Sequence, residues 1–261
     1  MNLPNYFLAD LPPEASLTPN IIGEACQTLK RNRESYLQHR TTQSLIDLLT
    51  RVAKDWLDPE FSFRKLALFE GPAATGFSRA TLTAGLDAFF KALTAEAFHV
   101  LLEQDLGNPE RLDQFTASPA EQKANRASIA LGPELLVHIA AGNLPNPTLM
   151  SLILGVLARS AQFVKCASGG AFLPRLFAHS LYDADHKLGA AWNSPSGVEE
   201  MSLSKRPCLR KLPVSPQPAR MRAWLRFDGG CHPMFASWGM LLVSVSPMSR
   251  TRCFQGCTPT K

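Results

Sequence analysis

The chain has 261 residues, of which 45% are hydrophobic and 19% charged, a globular composition rather than a disordered one. Its formal net charge of +5 is unevenly held: residues 1–189 carry 17 Lys+Arg and 19 Asp+Glu, whereas residues 190–261 carry 10 and 3. The basic character therefore belongs to the last quarter, and the length allows one large domain or two ordinary ones.

The first residues, MNLPNYFLADLPPEASLTP, hold no basic n-region, no apolar h-region and no small-residue cleavage site, so no signal peptide is expected. The uncharged apolar stretches 148–158 and 235–248 are shorter than the roughly 20 residues that span a bilayer. A cytoplasmic location without a membrane span is the expectation. Of the six Cys, only Cys26 and Cys166 lie in the first 189 residues, which excludes a disulfide framework there. Cys208, Cys231, Cys253 and Cys257 fall in the basic part. Cys231-His232 with Cys253-x3-Cys257 lacks the paired-knuckle spacing of structural zinc, and no metal is expected.

Residues 1–130 read mostly as helix. In 20–38, Ile21, Ile22, Ala25, Leu29 and Leu37 recur near helical spacing. In 42–57, Leu45, Ile46, Leu48, Leu49, Val52, Ala53 and Trp56 form one apolar face. A third stretch, 81–106, puts Leu82, Leu86, Phe89, Phe90, Leu93, Ala97 and Val100 on one face, with Phe98 at its edge and His99 opposite. Pro59, Gly71-Pro72 and Gly107-Asn108-Pro109 punctuate these segments. The three faces are expected to be core, and His99 a solvated residue.

The pattern changes after Gly132-Pro133. Residues 135–140, LLVHIA, form a nearly continuous apolar run, as a buried parallel strand does. The loop Ala141-Gly142-Asn143-Leu144-Pro145-Asn146-Pro147 follows, and 148–159 is helix-compatible with Pro147 suited to its first turn. Residues 161–165 read as a second strand, and 173–181 begin another helix. Strand, loop, helix and strand at this spacing predict one βαβ unit of an α/β nucleotide-binding domain over 131–189. After about Gly189 no helical or strand period persists, and 190–261 are expected to be unstructured.

There is no G-x-G-x-x-G, Walker loop, G-x-S-x-G or H-E-x-x-H. In an open parallel sheet, ligands bind beyond the carboxyl ends of the strands. Asn143 follows the first strand and Lys165 ends the second, so both can address one crevice. An Asn amide there can donate to a developing oxyanion, and a Lys can bind a ribose or phosphate. Spacing alone favours a turn-capping Asn143 and a solvated Lys165, because such turns use Asn for backbone reasons. His138 reads as a strand residue rather than a base, and Cys166 as a buried thiol.

The run Ile139-Ala140-Ala141-Gly142-Asn143-Leu144-Pro145 resembles the I-x-P-W-N-x-P turn of the aldehyde dehydrogenase superfamily, and LARSAQFVKCAS resembles its L-A-x-G-N-x-V-V-x-K-P-S. Over 131–189 the chain is similar to the LuxC-type long-chain acyl-CoA reductases. That resemblance implies an aldehyde-dehydrogenase-like α/β fold: a helical N-terminal part joined to an incomplete Rossmann-type nucleotide-binding domain. It implies NADPH-dependent reduction of fatty acyl groups to aldehydes through a cysteine thioester, with an acyl-CoA or acyl-carrier substrate. It puts Asn143 at the oxyanion-stabilising position and Lys165 at the position that holds the adenosine ribose or its phosphate. Gly142 stands where the superfamily has Trp, and with Pro145 belongs to the cofactor side of the turn. Cys166 replaces the Pro after the superfamily Lys and is not the nucleophile, which the family carries well downstream. The resemblance leaves acyl chain length and oligomeric state open.

It stops near Lys187-Leu188-Gly189, and the genetic code supplies a reason. Residues 192–204, WNSPSGVEEMSLS, can be encoded so that the same bases, read two positions in, give ELAEWRGGDVAF. Residues 205–219 hide EEALFAEAACVTATG, and 253–260 hide VLSGVHAN. These hidden strings resemble the family's missing continuation; the shifted second and third bases are fixed by the visible residues, so such agreement is hard to produce by choice. The residues from about Ala190 are therefore expected to be an out-of-frame product, and the chain to be inactive for want of the nucleophile. The alternative is a non-catalytic protein whose basic tail binds nucleic acid or an anionic membrane; that tail interleaves Arg and Trp but shows no recognisable nucleic-acid motif.

Overall fold

The structure is a computed structural model that describes Leu3, Asp10 and residues 18–140, 146–166 and 170–193. The first helix, α1 (Pro19–Tyr36), starts where the Thr18 hydroxyl accepts from the Ile21 amide and Pro19 takes the first turn. It buries Ile22, Cys26 and Leu29 along one stripe. Helix α2 (Thr42–Leu57) begins at a Thr41 cap and buries its whole apolar face, from Leu45 to Trp56. Helix α2 follows the periodicity of the sequence; in α1, Ile21, expected on the apolar face, is 38% exposed, and Cys26 takes a place in the buried stripe.

Two helical boundaries differ from the sequence reading. Gly71-Pro72 does not end a segment: α3 (Ser62–Thr75) runs through it and stops only at Gly76, whose φ of 77° lets its amide reach the Pro72 carbonyl. Gly71 is used for contact, since a Cβ there would come within 2.8 Å of Leu82 Cδ1 on the next helix. The stretch 81–106 is two helices, α4 (Arg79–Lys91) and α5 (Ala95–Leu106), parted at a Thr94 cap that accepts from the Ala97 amide. The break resets the helical phase, so α5 buries Phe98 and Leu102 while Val100, expected on the buried face, is 57% exposed. His99 is exposed, as expected. A 3₁₀ turn (Pro109–Leu112) and the short α6 (Pro119–Lys123), with a Ser118–Glu121 capping box, lead into the sheet.

Strand β1 (Leu135–Ile139) pairs in parallel with β2 (Ala161–Lys165), Leu135 opposite Ala161 and Ile139 opposite Lys165. Helix α7 (Asn146–Leu157) connects them, as the βαβ pattern predicts. After α8 (Phe172–Ala184) and α9 (His186–Gly189), β3 (Trp192–Asn193) pairs with the free side of β2, giving the order β1-β2-β3. Ala191 is fully buried, so the packed chain continues past the boundary at 190 read from the sequence.

The sheet is covered on both faces, which is why β2 is buried along most of its length and apolar at Ala161, Phe163 and Val164. Leu135, Val137, Ala161 and Phe163 meet α1, through Ile22, Cys26 and Leu29. Val164 on the other face joins α7 and α8 in a core that also takes in α2, α3 and α4. Trp56 of α2 stacks on Phe90 of α4 at 5.0 Å, Phe90 meets Phe177 of α8 at 6.1 Å, and Trp56 Nε1 donates to Ser180 Oγ at 2.8 Å. The helical part and the βαβ unit thus share one apolar core.

Two buried arginines fasten these parts. Arg159, in the turn between α7 and β2 with φ of 52°, donates to the carbonyls of Arg40 and Leu112, to Thr42 Oγ1 and to Asp113. Its own carbonyl accepts from Arg33 Nε of α1 at 2.6 Å. Gly132 closes the joint from the other side, lying so near the Ala158 carbonyl that a Cβ would be 1.8 Å from its oxygen.

Candidate functional site

Of the site residues named from sequence, Lys165 belongs to the carboxyl end of β2, the edge at which a parallel sheet presents ligands. Lys165 is the last residue of β2 and is half-buried. Its carbonyl accepts the Ala140 amide at 2.9 Å, which locks the two strand ends together. Alternation puts Lys165 on the α1 face with Phe163, beside Ile139, its register partner, which is 51% exposed. None of the ion pairs among the described residues includes Lys165. A cation on a half-buried stem at such an edge is chemically suited to a ribose or a phosphate.

Gly142, Asn143 and Pro145 lie outside the described residues, so of the four residues read from sequence only Lys165 is seen. On either side of them, the Ala140 amide donates to the Lys165 carbonyl and α7 begins at Asn146. Cys166, next in the chain, is 2% exposed and packs in the core with α7 and α8. That burial agrees with a thiol placed for packing rather than for reaction.

His138 is a strand residue, as expected, but it belongs to a polar relay that sequence reasoning missed. Its Nε2 lies 3.0 Å from Gln162 Oε1, and Gln162 Nε2 donates to the Leu152 carbonyl of α7 at 2.9 Å. Burial pushes the His138 pKa below its ordinary value, while the Gln162 bond works against that shift. The available signal was Gln162 itself: an amide inside an otherwise apolar strand must find partners. Among the described residues, no group of His, Cys, Asp and Glu could hold a metal ion, and no helix is long and apolar enough to cross a membrane.

Comparison with solved structures gives the fold class first. The chain superposes on the NADP complex of glyceraldehyde-3-phosphate dehydrogenase GapN from Methanocaldococcus jannaschii with a TM-score of 0.52 at 14% identity, covering 70% of this chain and 38% of that one. A variant of proline utilization A from Bradyrhizobium japonicum gives 0.55 at 16% identity, over 70% of this chain and 18% of that one. Gox0499 gives 0.53 at 15% identity, over 71% and 38%. The fold is aldehyde-dehydrogenase-like, and the chain spans well under half the length of these structures. The family is narrower: residues 37–192 match the acyl-CoA reductase (LuxC) family, and the chain belongs to it. The match takes in α2 through β2 and the whole strand-end site, and it reaches Trp192, slightly beyond the point where the resemblance in the sequence fades.

Proposed function

We propose that this chain is the N-terminal portion of an NADPH-dependent reductase that converts fatty acyl groups, carried on CoA or an acyl-carrier, to aldehydes through a cysteine thioester. The observation that carries the reading is the family match across β1, α7 and β2, with Lys165 at the carboxyl end of β2. GapN, which shares the fold, is described as complexed with NADP. Lys165 would hold the adenosine ribose or its phosphate, its ammonium acting as a compact charge. Gly142 and Pro145 would shape the turn beside it. Asn143 would donate its amide to the oxyanion that forms when a thiolate attacks the acyl carbonyl, the step at which fixed donors matter most. The nicotinamide supplies hydride when bound. The nucleophile is a cysteine further along the reductase, and a cytoplasmic location suits these substrates.

The test of the cofactor reading is a fluorescence titration with NADPH of wild type and Lys165→Ala. Loss of a hydrogen bond to a charged group is worth about 1.5–3 kcal/mol, which predicts roughly a 10- to 150-fold weaker complex. Unchanged affinity would remove Lys165 from the role.

We further infer that the residues after the packed chain are read out of frame. The hidden continuation begins within the codons of Trp192 and Asn193, and the excess of Arg, Cys, Trp and Pro beyond them follows from the shifted codons. The 261-residue chain is then expected to be inactive, and a frame-restored chain active, in NADPH-dependent aldehyde formation from a long-chain acyl-CoA. Sequencing the coding DNA around codons 190–193 for a single-base insertion or deletion decides the point. Robust turnover by the 261-residue chain would overturn it.

A further inference from the structure

The Leu152 carbonyl can only accept a hydrogen bond, so the Gln162 amide nitrogen faces it and the Gln162 oxygen faces His138. The neutral imidazole must then carry its hydrogen on Nε2, leaving Nδ1 with a lone pair. Gly155 makes the room: a Cβ there would lie 2.3 Å from Gln162 Oε1. One relay therefore joins β1, β2 and α7 across buried surroundings, with His138 9% exposed and Gln162 fully buried.

Protonation of this ring adds a charge that, among the described residues, the neighbouring elements do not answer. The elements packed on β1 include β2, α7 and α1. Helix α7, NPTLMSLILGVL, carries no ionisable side chain. Strand β2 carries only Lys165, which has the same sign and lies on the opposite face. Helix α1 covers that opposite face; its Arg33 is turned to the Arg159 and Gly132 carbonyls, and its Lys30 pairs with Glu134 at 3.0 Å. The acidic Glu24 and Glu34 also belong to α1, across the sheet from the ring.

We propose that His138 is a proton-operated latch on the β1–α7 contact: protonation at Nδ1 leaves the Nε2–Gln162 bond in place but puts an unanswered charge in the buried space between the sheet and α7, and so loosens α7 from the sheet. A group whose ionisation is pushed down in the folded state stabilises that state above the unfolded pKa and ceases to do so as pH falls. The latch is therefore closed at neutral pH and opens as pH falls below about 6.5, the ordinary His value. The device needs no bound ligand, so it stands apart from the cofactor reading above.

Amide hydrogen exchange by mass spectrometry on the full chain tests it, with rates corrected for their intrinsic pH dependence. In the opened state the ring has the ordinary His value and is protonated by about pH 5, so α7 protection should fall between neutral pH and about pH 5, by at most roughly 30-fold. Helices α2 and α4, remote from the relay, should keep theirs. His138→Gln, which can still donate to Gln162 but cannot be protonated, should abolish the acid loss in α7. Gln162→Glu, which places a carboxylate against the ring, should abolish or reverse it. Unchanged α7 protection in the wild-type chain overturns the proposal without reference to any variant. So does an acid loss that persists in a folded His138→Gln protein.

Discussion

Replacing Asp113 by Ala removes the carboxylate from the joint between the helical part and the βαβ unit. Arg159, its side chain 8% exposed, would keep Thr42 Oγ1 and the carbonyls of Arg40 and Leu112 as acceptors, but lose the carboxylate that answers its charge. Burial already works against that charge, and Asp113 is the group that restores it. The Thr42 amide, at the first turn of α2, would also lose an acceptor at 3.0 Å. Breaking a fully buried ion pair costs about 3–5 kcal/mol. The Asp113 side chain is 33% exposed, so solvent screens part of the loss and the lower end applies. We expect about 2–3 kcal/mol, which for a domain of this size lowers the midpoint of thermal unfolding by roughly 5–10 °C. Far-UV circular dichroism on heating measures it. Asp113→Asn, which keeps an acceptor oxygen for the Thr42 amide, should lose less. An Asp113→Ala protein melting within about 1 °C of wild type would refute the view that this pair fastens the two parts.

Three further outcomes follow from the same coordinates. Gly132→Ala should destabilise by about 3 kcal/mol or more in urea unfolding, because its Cβ would lie 1.8 Å from a backbone oxygen that cannot swing aside. Trp56→Phe should cost about 1 kcal/mol in the same assay, since the bond from Nε1 to Ser180 Oγ is lost while the stack on Phe90 can remain. The Lys30 side chain beside Glu134 holds that carboxyl below the usual range, so the pair helps stability above the unfolded carboxylate pKa and ceases to as pH falls. Both side chains are well exposed, and Lys30→Ala should flatten the acid limb of the stability profile by less than about 1 kcal/mol.

The parts of the fold legible in the sequence are those with an unambiguous period or an unbroken apolar run. Helix α2 shows its buried face residue by residue, and β1 and β2 stand out because both faces of the sheet are covered. What misleads is local punctuation. Gly71-Pro72 reads as a stop, yet Pro72 is held inside α3 because Gly71 lets that helix lie against Leu82. The break at Thr94 is the opposite case: an apolar stripe that seems to run to Val100 is two stripes out of phase, and only the Thr94 cap announces it.

The strand-end site is half legible for a different reason. Lys165 can be placed because a parallel pair fixes where its strands end, and the register with Ile139 puts it at the carboxyl edge of the sheet. The residues that fix the amino end of β2 carry no motif. Gln162, Gly155 and Arg159 each look out of place locally: an amide in a strand core, a glycine in an apolar helix, and an arginine in a left-handed turn. Each is explained only by a partner distant in sequence or on another element: Gln162 by His138 and Leu152, Gly155 by Gln162, and Arg159 by Asp113 and Arg40. A residue that violates the local rule at a buried position thus signals a tertiary contact before the contact can be named. In this chain all three such violations converge on α7 and the turn that follows it, the elements that join β1 to β2.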